Sequence, residues 1–290
     1  MLCEINQVDC IKYLNEYKGN EFDLTFLDPP FNQGKEYNSH NDNLSTQEYW
    51  DWMNEVCSLL YENTSQGGAL YFMQREKNTQ YVLDSLIKTN WSFQNLIIWK
   101  KKTSAIPGKK RYGKHYQIIA FVTKGLKPRL FNKLRIDPPL LVTEKKRRQN
   151  GMFVTDVWDD IRELTSGYYA GDEPLRNEKG ERIHKQQSPV QLLTRIILSS
   201  TNVGDMVFDP FAGTGTTLVV AKQLLRKSAG TEIDPINVEH IIKRINDLRP
   251  IDDISVYQDD YRYTENLETI WHLQTDSEKA KQDIDQLEFF

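Results

Sequence analysis

Short apolar runs alternate with longer amphipathic stretches along most of this chain. Four runs, 23–27 (DLTFL), 69–73 (ALYFM), 95–99 (NLIIW) and 117–122 (QIIAFV), are β-rich and bounded by polar residues. That is the pattern of strands buried on both faces. Between them, 46–63 and 78–90 carry apolar residues at helical spacing. A second series follows, with a helix expected at 188–200, a strand at 205–211, a helix at 216–225, a strand at 228–234 and a helix at 236–248. Strand and helix in alternation predict an α/β fold, a mostly parallel twisted sheet with helices on both faces. Residues 126–187 break the rhythm, being polar and basic with scattered Gly and Pro. They read as an insertion carried by the sheet rather than part of it.

Charge changes the picture. The 290 residues carry a net −4, which argues against a polyanionic partner until its distribution is seen. Residues 250–290 hold 11 acids against three bases, so the region before them is net basic. Within it, 98–148 contains 16 Lys and Arg against two acids. These include Lys109, Lys110 and Arg111, and Lys145, Lys146, Arg147 and Arg148, interleaved with Tyr112, His115 and Tyr116. A charge run is often only a solvated face, but an excess this large over a fifth of the chain reads as a phosphate-binding surface. Three cysteines (Cys3, Cys10, Cys57) lack metal-ligand spacing, and the N-terminus lacks the features of a signal peptide. No run approaches the roughly 18 apolar residues of a membrane helix. The expectation is a reduced, cytoplasmic setting, no membrane association and no metal site.

Two motifs carry chemistry. In VFDPFAGTGTTLVVAK a strand ends at Asp209, a small-residue loop follows, and a helix opens at Thr216. Gly213 and Gly215 would let backbone approach a ligand, and Glu232 ends the next strand, where an acid suits paired ribose hydroxyls. No Lys-Ser/Thr follows the second glycine, and the third glycine of GxGxxG is missing. The turn suits a nucleoside-bearing ligand that need not contain pyrophosphate. A bare strand-to-helix turn would use the same glycines, so the weight rests on the strand, helix and acid around them.

The other motif is LDPPF, Asp28 to Phe31 after an apolar strand. Pro29 and Pro30 lack N–H groups and fix the backbone, so the Asp28 carboxylate and the Pro29 carbonyl are held as acceptors. Both can converge on one amino group, and Phe31 offers a face for a planar base. An extruded nucleobase with an exocyclic –NH₂ would require such a set. Asp-Pro-Pro recurs at 137–139, after a basic, irregular segment and before Leu140; that copy reads as a rigid loop.

LDPPF and DPFAGTG resemble the two signature motifs of the S-adenosylmethionine-dependent amino-methylating DNA methyltransferases. Their order resembles the beta group, a circular permutation of the Rossmann-like methyltransferase fold. VDC at 8–10 resembles the segment whose acid, here Asp9, holds the cofactor's adenine amino group beside Cys10. HKQQSPVQLLTRII at 184–197 resembles the helix start that closes over the cofactor, with Ser188 where lysine is usual and Lys185 where proline is usual. The resemblance implies Asp28, Pro29, Pro30 and Phe31 as the catalytic set. It implies a cofactor site of Asp9, Cys10, Ser188, Asp209, Phe211, Gly213, Gly215, Thr216 and Glu232. Residues 1–250 would form the catalytic domain, 126–187 its target-recognition region with Arg162 and Tyr168 as candidate readers, and 251–290 an acidic extension. In conceptual order the glycine turn, Glu232, Asp9 and Asp28 would end consecutive strands. Double-stranded DNA is the implied partner; a cognate restriction endonuclease and a homodimer stay open.

Within the family it resembles, Asp rather than Ser before Pro-Pro implies the N6 nitrogen of adenine over the N4 nitrogen of cytosine, the alternative. Methylation at cytosine carbon-5 needs a cysteine nucleophile, typically after proline, and the chain has no Pro-Cys. A nicotinamide-dependent oxidoreductase would need a pyrophosphate turn that is lacking here. A degenerate DNA-binding protein would not need Asp28, Phe31 and Gly213 together. Transfer to a glutamine amide uses a similar Asn-Pro-Pro, which Asp28 and the basic run disfavour.

Overall fold

Side-chain alternation along the central strands explains why their sequences are apolar throughout. In β2 (Phe22–Leu27) Leu24 and Phe26 enter one core while Phe22 and Leu27 enter the other. In β3 (Thr64–Arg75) Ala69, Tyr71 and Met73 face the first, Leu70 and Phe72 the second. Both faces of the sheet are therefore covered, as strands without polar alternation require. The computed structural model describes residues 2–32, 43–102, 107, 109–137, 150–164, 171–176, 179–183 and 187–272.

The chain opens with β1 (Cys3–Gln7) and α1 (Cys10–Glu16), then β2, α2 (Thr46–Asn63), β3, α3 (Thr79–Lys88), β4 (Trp91–Lys100) and β5 (Tyr116–Lys124). Short strands β6 (Arg135–Ile136), β7 (Met152–Phe153) and β8 (Val157–Trp158) follow. The last part is α4 (Val190–Ser200), β9 (Met206–Asp209), α5 (Thr216–Gln223), β10 (Lys227–Glu232), α6 (Pro235–Asn246) and α7 (Leu267–Ile270). Helices α1, α2 and α3 supply the core on one face, and α4 and α5 the core on the other. The α2 start is fixed by a capping box, the Ser45 hydroxyl accepting from the Glu48 amide while Glu48 accepts from the Ser45 amide. No helix among the described residues is long and apolar enough to cross a membrane.

The eight-stranded sheet runs β1-β10-β9-β2-β3-β5-β4-β8. Its pairs are parallel except β3–β5 and β5–β4. Three expectations are corrected here. The 126–187 region is partly inside the fold: β8 pairs with Ile98 and Trp99, and Leu134, Trp158 and Ile161 join the main core. Residues 251–271 are no separate acidic extension, because Ile254, Tyr261, Ile270 and Trp271 are buried in that core. Arginines fasten this segment: buried Arg244 and half-buried Arg249 bind Asp252, and buried Arg226 donates to the Ile270 carbonyl at 2.7 Å. Finally, the strand bearing Asp28 adjoins the glycine-turn strand β9, not the β1 strand that precedes Asp9.

Candidate active site

Because β1, β10, β9 and β2 are parallel, their C-terminal ends share one edge of the sheet. Asp9 follows β1, Glu232 ends β10, Asp209 ends β9 and Asp28 follows β2, so four carboxylates stand along that edge. Open α/β sheets bind ligands there. A cavity lies over it. Asp9, Cys10, Asp28, Pro29, Pro30, Ser188, Asp209, Phe211, Gly213, Thr216 and Glu232 line it.

Phe31 and Gly215 do not. Phe31 is 2% exposed, its ring turned into the protein, where burial stabilises it. Gly215 has φ +74 and caps α5; a Cβ there would come within 2.8 Å of Ile241, so the missing side chain makes room for α6. The aromatic surface of the cavity comes instead from Phe211 and from Trp52, whose rings meet edge-on with centroids 5.5 Å apart. Trp52 escaped the sequence reading because an aromatic at helical spacing looks like any core position. Asn237 and Asp234 were missed for a similar reason, sitting where α6 begins past the motif.

Each carboxylate has a different degree of commitment. Asp209 is consumed by the turn itself: Phe211 N–H donates to one oxygen at 3.0 Å and the Thr217 hydroxyl to the other at 2.5 Å. Burial pushes its carboxyl up to about 7 in spite of those bonds. Glu232 ties the glycine turn to β10, accepting from Gly213 N–H at 2.8 Å and Asp234 N–H at 2.9 Å. Burial raises its pKa, and these amides and Asn237 act against the rise. Asp9 caps α1, accepting from Ile11 and Lys12 amides on Oδ1 alone. Burial drives the Cys10 thiol far up, so it is an apolar wall rather than a nucleophile.

Asp28 is half-buried and accepts from the Ser188 hydroxyl at 3.1 Å, which joins the start of α4 to the end of β2. The Pro30 carbonyl accepts from the Tyr49 hydroxyl at 2.7 Å. Lys101 also lies within the field of Asp28; burial lowers its pKa, opposed by Glu163, Glu76 and Asp28. Lys101 begins the hairpin connection between β4 and β5. The Lys100–Tyr116 and Arg75–Gln117 pairs place that hairpin at the same sheet edge as Asp28. Lys109, Lys110 and Arg111 are exposed on it, and Tyr112 is 96% exposed. Lys145, Lys146, Arg147, Arg148 and Tyr168 lie outside the described residues.

A family model described as DNA methylase, of the N6/N4 type, matches residues 22–244. The type II methyltransferase M.HpaI of Haemophilus parainfluenzae is 29% identical over 238 residues, 82% of this chain and 72% of that protein. The DNA adenine methyltransferase YhdJ of Escherichia coli is 28% identical over 257 residues, 82% of this chain and 81% of that protein. In fold, the chain resembles the M1.HpyAVI–SAM complex with a TM-score of 0.54 at 19% identity, covering 85% of this chain and 100% of that one. It also resembles the cytosine-N4-specific PvuII DNA methyltransferase, with a TM-score of 0.60 at 16% identity over 89% and 90% of the two chains. A family match across more than half its length, spanning both the Asp28 and Asp209 strand ends, makes this chain a member of the N6/N4 DNA methylase family.

Proposed function

We propose that the chain transfers a methyl group from S-adenosylmethionine to the exocyclic N6 amino group of an adenine extruded from double-stranded DNA. The observation that carries the reading is the sheet edge itself: Asp28 ends the row that Asp9 begins, with Glu232 between them. Three strand spacings, about 14 Å, separate the two ends, which suits a nucleoside with an amino-acid side chain laid across the strands.

The donor set fits that cofactor. Glu232 carries acceptors for ribose hydroxyls, Asp9 Oδ2 is an acceptor for an amino group, and Phe211 offers an apolar face. When bound, S-adenosylmethionine supplies an electrophilic methyl group on a sulfonium. Asp28 and the Pro29 carbonyl accept the two amino hydrogens, which draws the nitrogen lone pair away from the ring. Asp28 also takes up the proton that the nitrogen sheds once methylated. The basic hairpin at 109–111 and the 145–148 cluster would hold the phosphates, which position the duplex without reading its sequence. Adenine is favoured by Asp28 before Pro-Pro and by the likeness to YhdJ. A site-specific modification role, alone or beside a restriction endonuclease, is part of the same reading.

Single-molecule sequencing of DNA from cells with and without the gene tests the reading. N6-methyladenine in one sequence context is the expected result, lost with Asp28→Ala. N4-methylcytosine would overturn the choice of base, and unmodified DNA would overturn the activity.

A further inference from the structure

The Asp-Pro-Pro backbone is held from behind by a buried relay that starts on β3 and passes through α2. Gln74 is 0% exposed and Tyr49 is 2% exposed. The Arg75 amide donates to Gln74 Oε1 at 2.9 Å, which fixes the side-chain amide so that Nε2 faces Tyr49. Gln74 Nε2 then donates to the Tyr49 hydroxyl at 3.0 Å. With its lone pair engaged, that hydroxyl turns its single proton to the Pro30 carbonyl at 2.7 Å. Every group in the chain points one way. Two prolines cannot donate, so this part of the motif is anchored through carbonyls, and the Pro30 carbonyl is the one taken by the protein. Its neighbour Pro29 is part of the cavity lining.

We propose that Tyr49 and Gln74 are positioning residues for methyl transfer. They fix the peptide plane after Pro30, and through it the angle at which the Pro29 carbonyl and the Asp28 carboxylate meet the target amino group. The inference deepens the proposed reaction and rests on it. Reacting groups must be held to within about half an ångström, and a misplacement of about 1 Å can cost on the order of a hundredfold in rate. Burial makes the relay stiff, since a displaced Tyr49 hydroxyl has no water to turn to. Tyr49 and Trp52 are three residues apart on α2, so the helix that fixes Pro30 also carries a wall of the cavity.

Two variants and two readouts test this. Tyr49→Phe keeps the ring and removes the proton. Gln74→Met keeps the length of the side chain and removes the amide donor, so the Tyr49 hydroxyl loses the contact that turns its proton toward Pro30. The bond is read directly by NMR on the full chain labelled with ¹³C-carbonyl proline and ¹⁵N-phenylalanine. Pro-Phe occurs twice in the sequence, at Pro30-Phe31 and Pro210-Phe211, so two carbonyl–amide signals are expected. Pro210 accepts from the Thr231 hydroxyl at 2.7 Å and serves as the internal control. In both variants the Pro30 carbonyl signal should move to lower frequency while the Pro210 signal stays. The single-turnover methylation rate, assayed below each variant's melting transition, should fall roughly ten- to a hundredfold, with S-adenosylmethionine affinity and DNA affinity nearly unchanged. An unmoved Pro30 signal would overturn the relay. A moved signal with an undiminished rate, or a rate loss that tracks lowered stability, would reduce it to packing. Wild-type protein that methylates no DNA would instead sink the reaction, and the carbonyl signals would still decide whether the relay exists.

Discussion

The two Asp-Pro-Pro copies have identical side chains and opposite surroundings. Asp28 follows β2, a six-residue strand paired on both sides by β9 and β3 within the eight-stranded sheet. It is delivered to the ligand edge, where it lines the cavity and meets Ser188. Asp137 follows β6, a two-residue strand paired with β7 outside that sheet. Its carboxylate forms an ion pair with Arg262 from the segment after α6. A short motif thus takes its chemistry from the strand that carries it, and the tripeptide alone does not say which acid lines a cavity.

Deleting each acid in turn should separate the two copies. Asp28→Ala should lower the methylation rate by about a thousandfold or more, the upper range for a group that handles the proton. Cofactor affinity should stay within a few-fold, because Asp28 stands at the far end of the row from Asp9. Asp137→Ala should keep near-normal rates, since a half-exposed ion pair contributes little. Calorimetry with S-adenosylmethionine and a methylation assay read both. Lost cofactor binding together with high residual activity in the Asp28 variant would invert the assigned roles.

Each copy has its own basic cluster. Asp28's edge carries the 109–111 hairpin, whereas the Asp137 copy is followed in sequence by Lys145 to Arg148. Each phosphate contact contributes a log–log salt slope of about −0.9 in duplex affinity. Neutralising Lys109, Lys110 and Arg111 should flatten the slope by up to about 2.7 units, and neutralising the four residues of the 145–148 cluster by up to about 3.6. Cognate and non-cognate DNA should weaken nearly alike, because phosphate contacts carry no sequence information. Unchanged slopes in both variants would place the duplex elsewhere.

Glu232 sharpens the same point from the cofactor side. Glu232→Ala should weaken S-adenosylmethionine by about 1.5–3 kcal/mol, the usual contribution of a charged hydrogen-bond partner. Glu232→Gln should weaken it less, yet still measurably, since an amide oxygen cannot accept from both Gly213 and Asp234 as the carboxylate does. Full affinity in the alanine variant would remove Glu232 from the cofactor's contacts.

Much of this architecture is readable from the chain, and the failures have physical causes. Residues 46–63 form α2 as their periodicity predicts, because the apolar stripe and the Ser45 cap agree. The strand expected at 69–73 extends over Thr64–Arg75, since the polar, glycine-containing Thr64 to Gly68 stretch pairs with β2 only through a register shift that no local pattern reveals. β8 has two residues and hence no periodicity. The 251–271 segment hid its core residues in acidic, largely 3₁₀ structure, where apolar positions do not recur at helical spacing. In the site, Asp28, Gly213 and Glu232 follow from motif and strand order. Trp52, Tyr49 and Gln74 do not, because their roles exist only where α2 and β3 meet the end of β2.

Asp209 is the remaining term of the comparison: an Asp-Pro on the correct edge, next to Asp28, yet committed inward. Its buried carboxyl is pushed up to about 7, against an ordinary value of about 3.9 in an unfolded chain. Between those two values the folded protein holds a proton that the unfolded chain has released. The stability contributed by Asp209 is therefore fully present below about pH 4 and declines as pH rises through 7. Asp209→Asn is neutral throughout and keeps an oxygen to accept from Phe211 N–H, while the Thr217 hydroxyl can turn to accept from the new amide. The melting temperature of the variant relative to the wild type should thus climb from pH 4 to 7 and then level off. Differential scanning calorimetry on ligand-free protein measures that difference directly. A difference independent of pH would mean that the Asp209 carboxyl titrates normally and that the turn does not bury it as the structure shows.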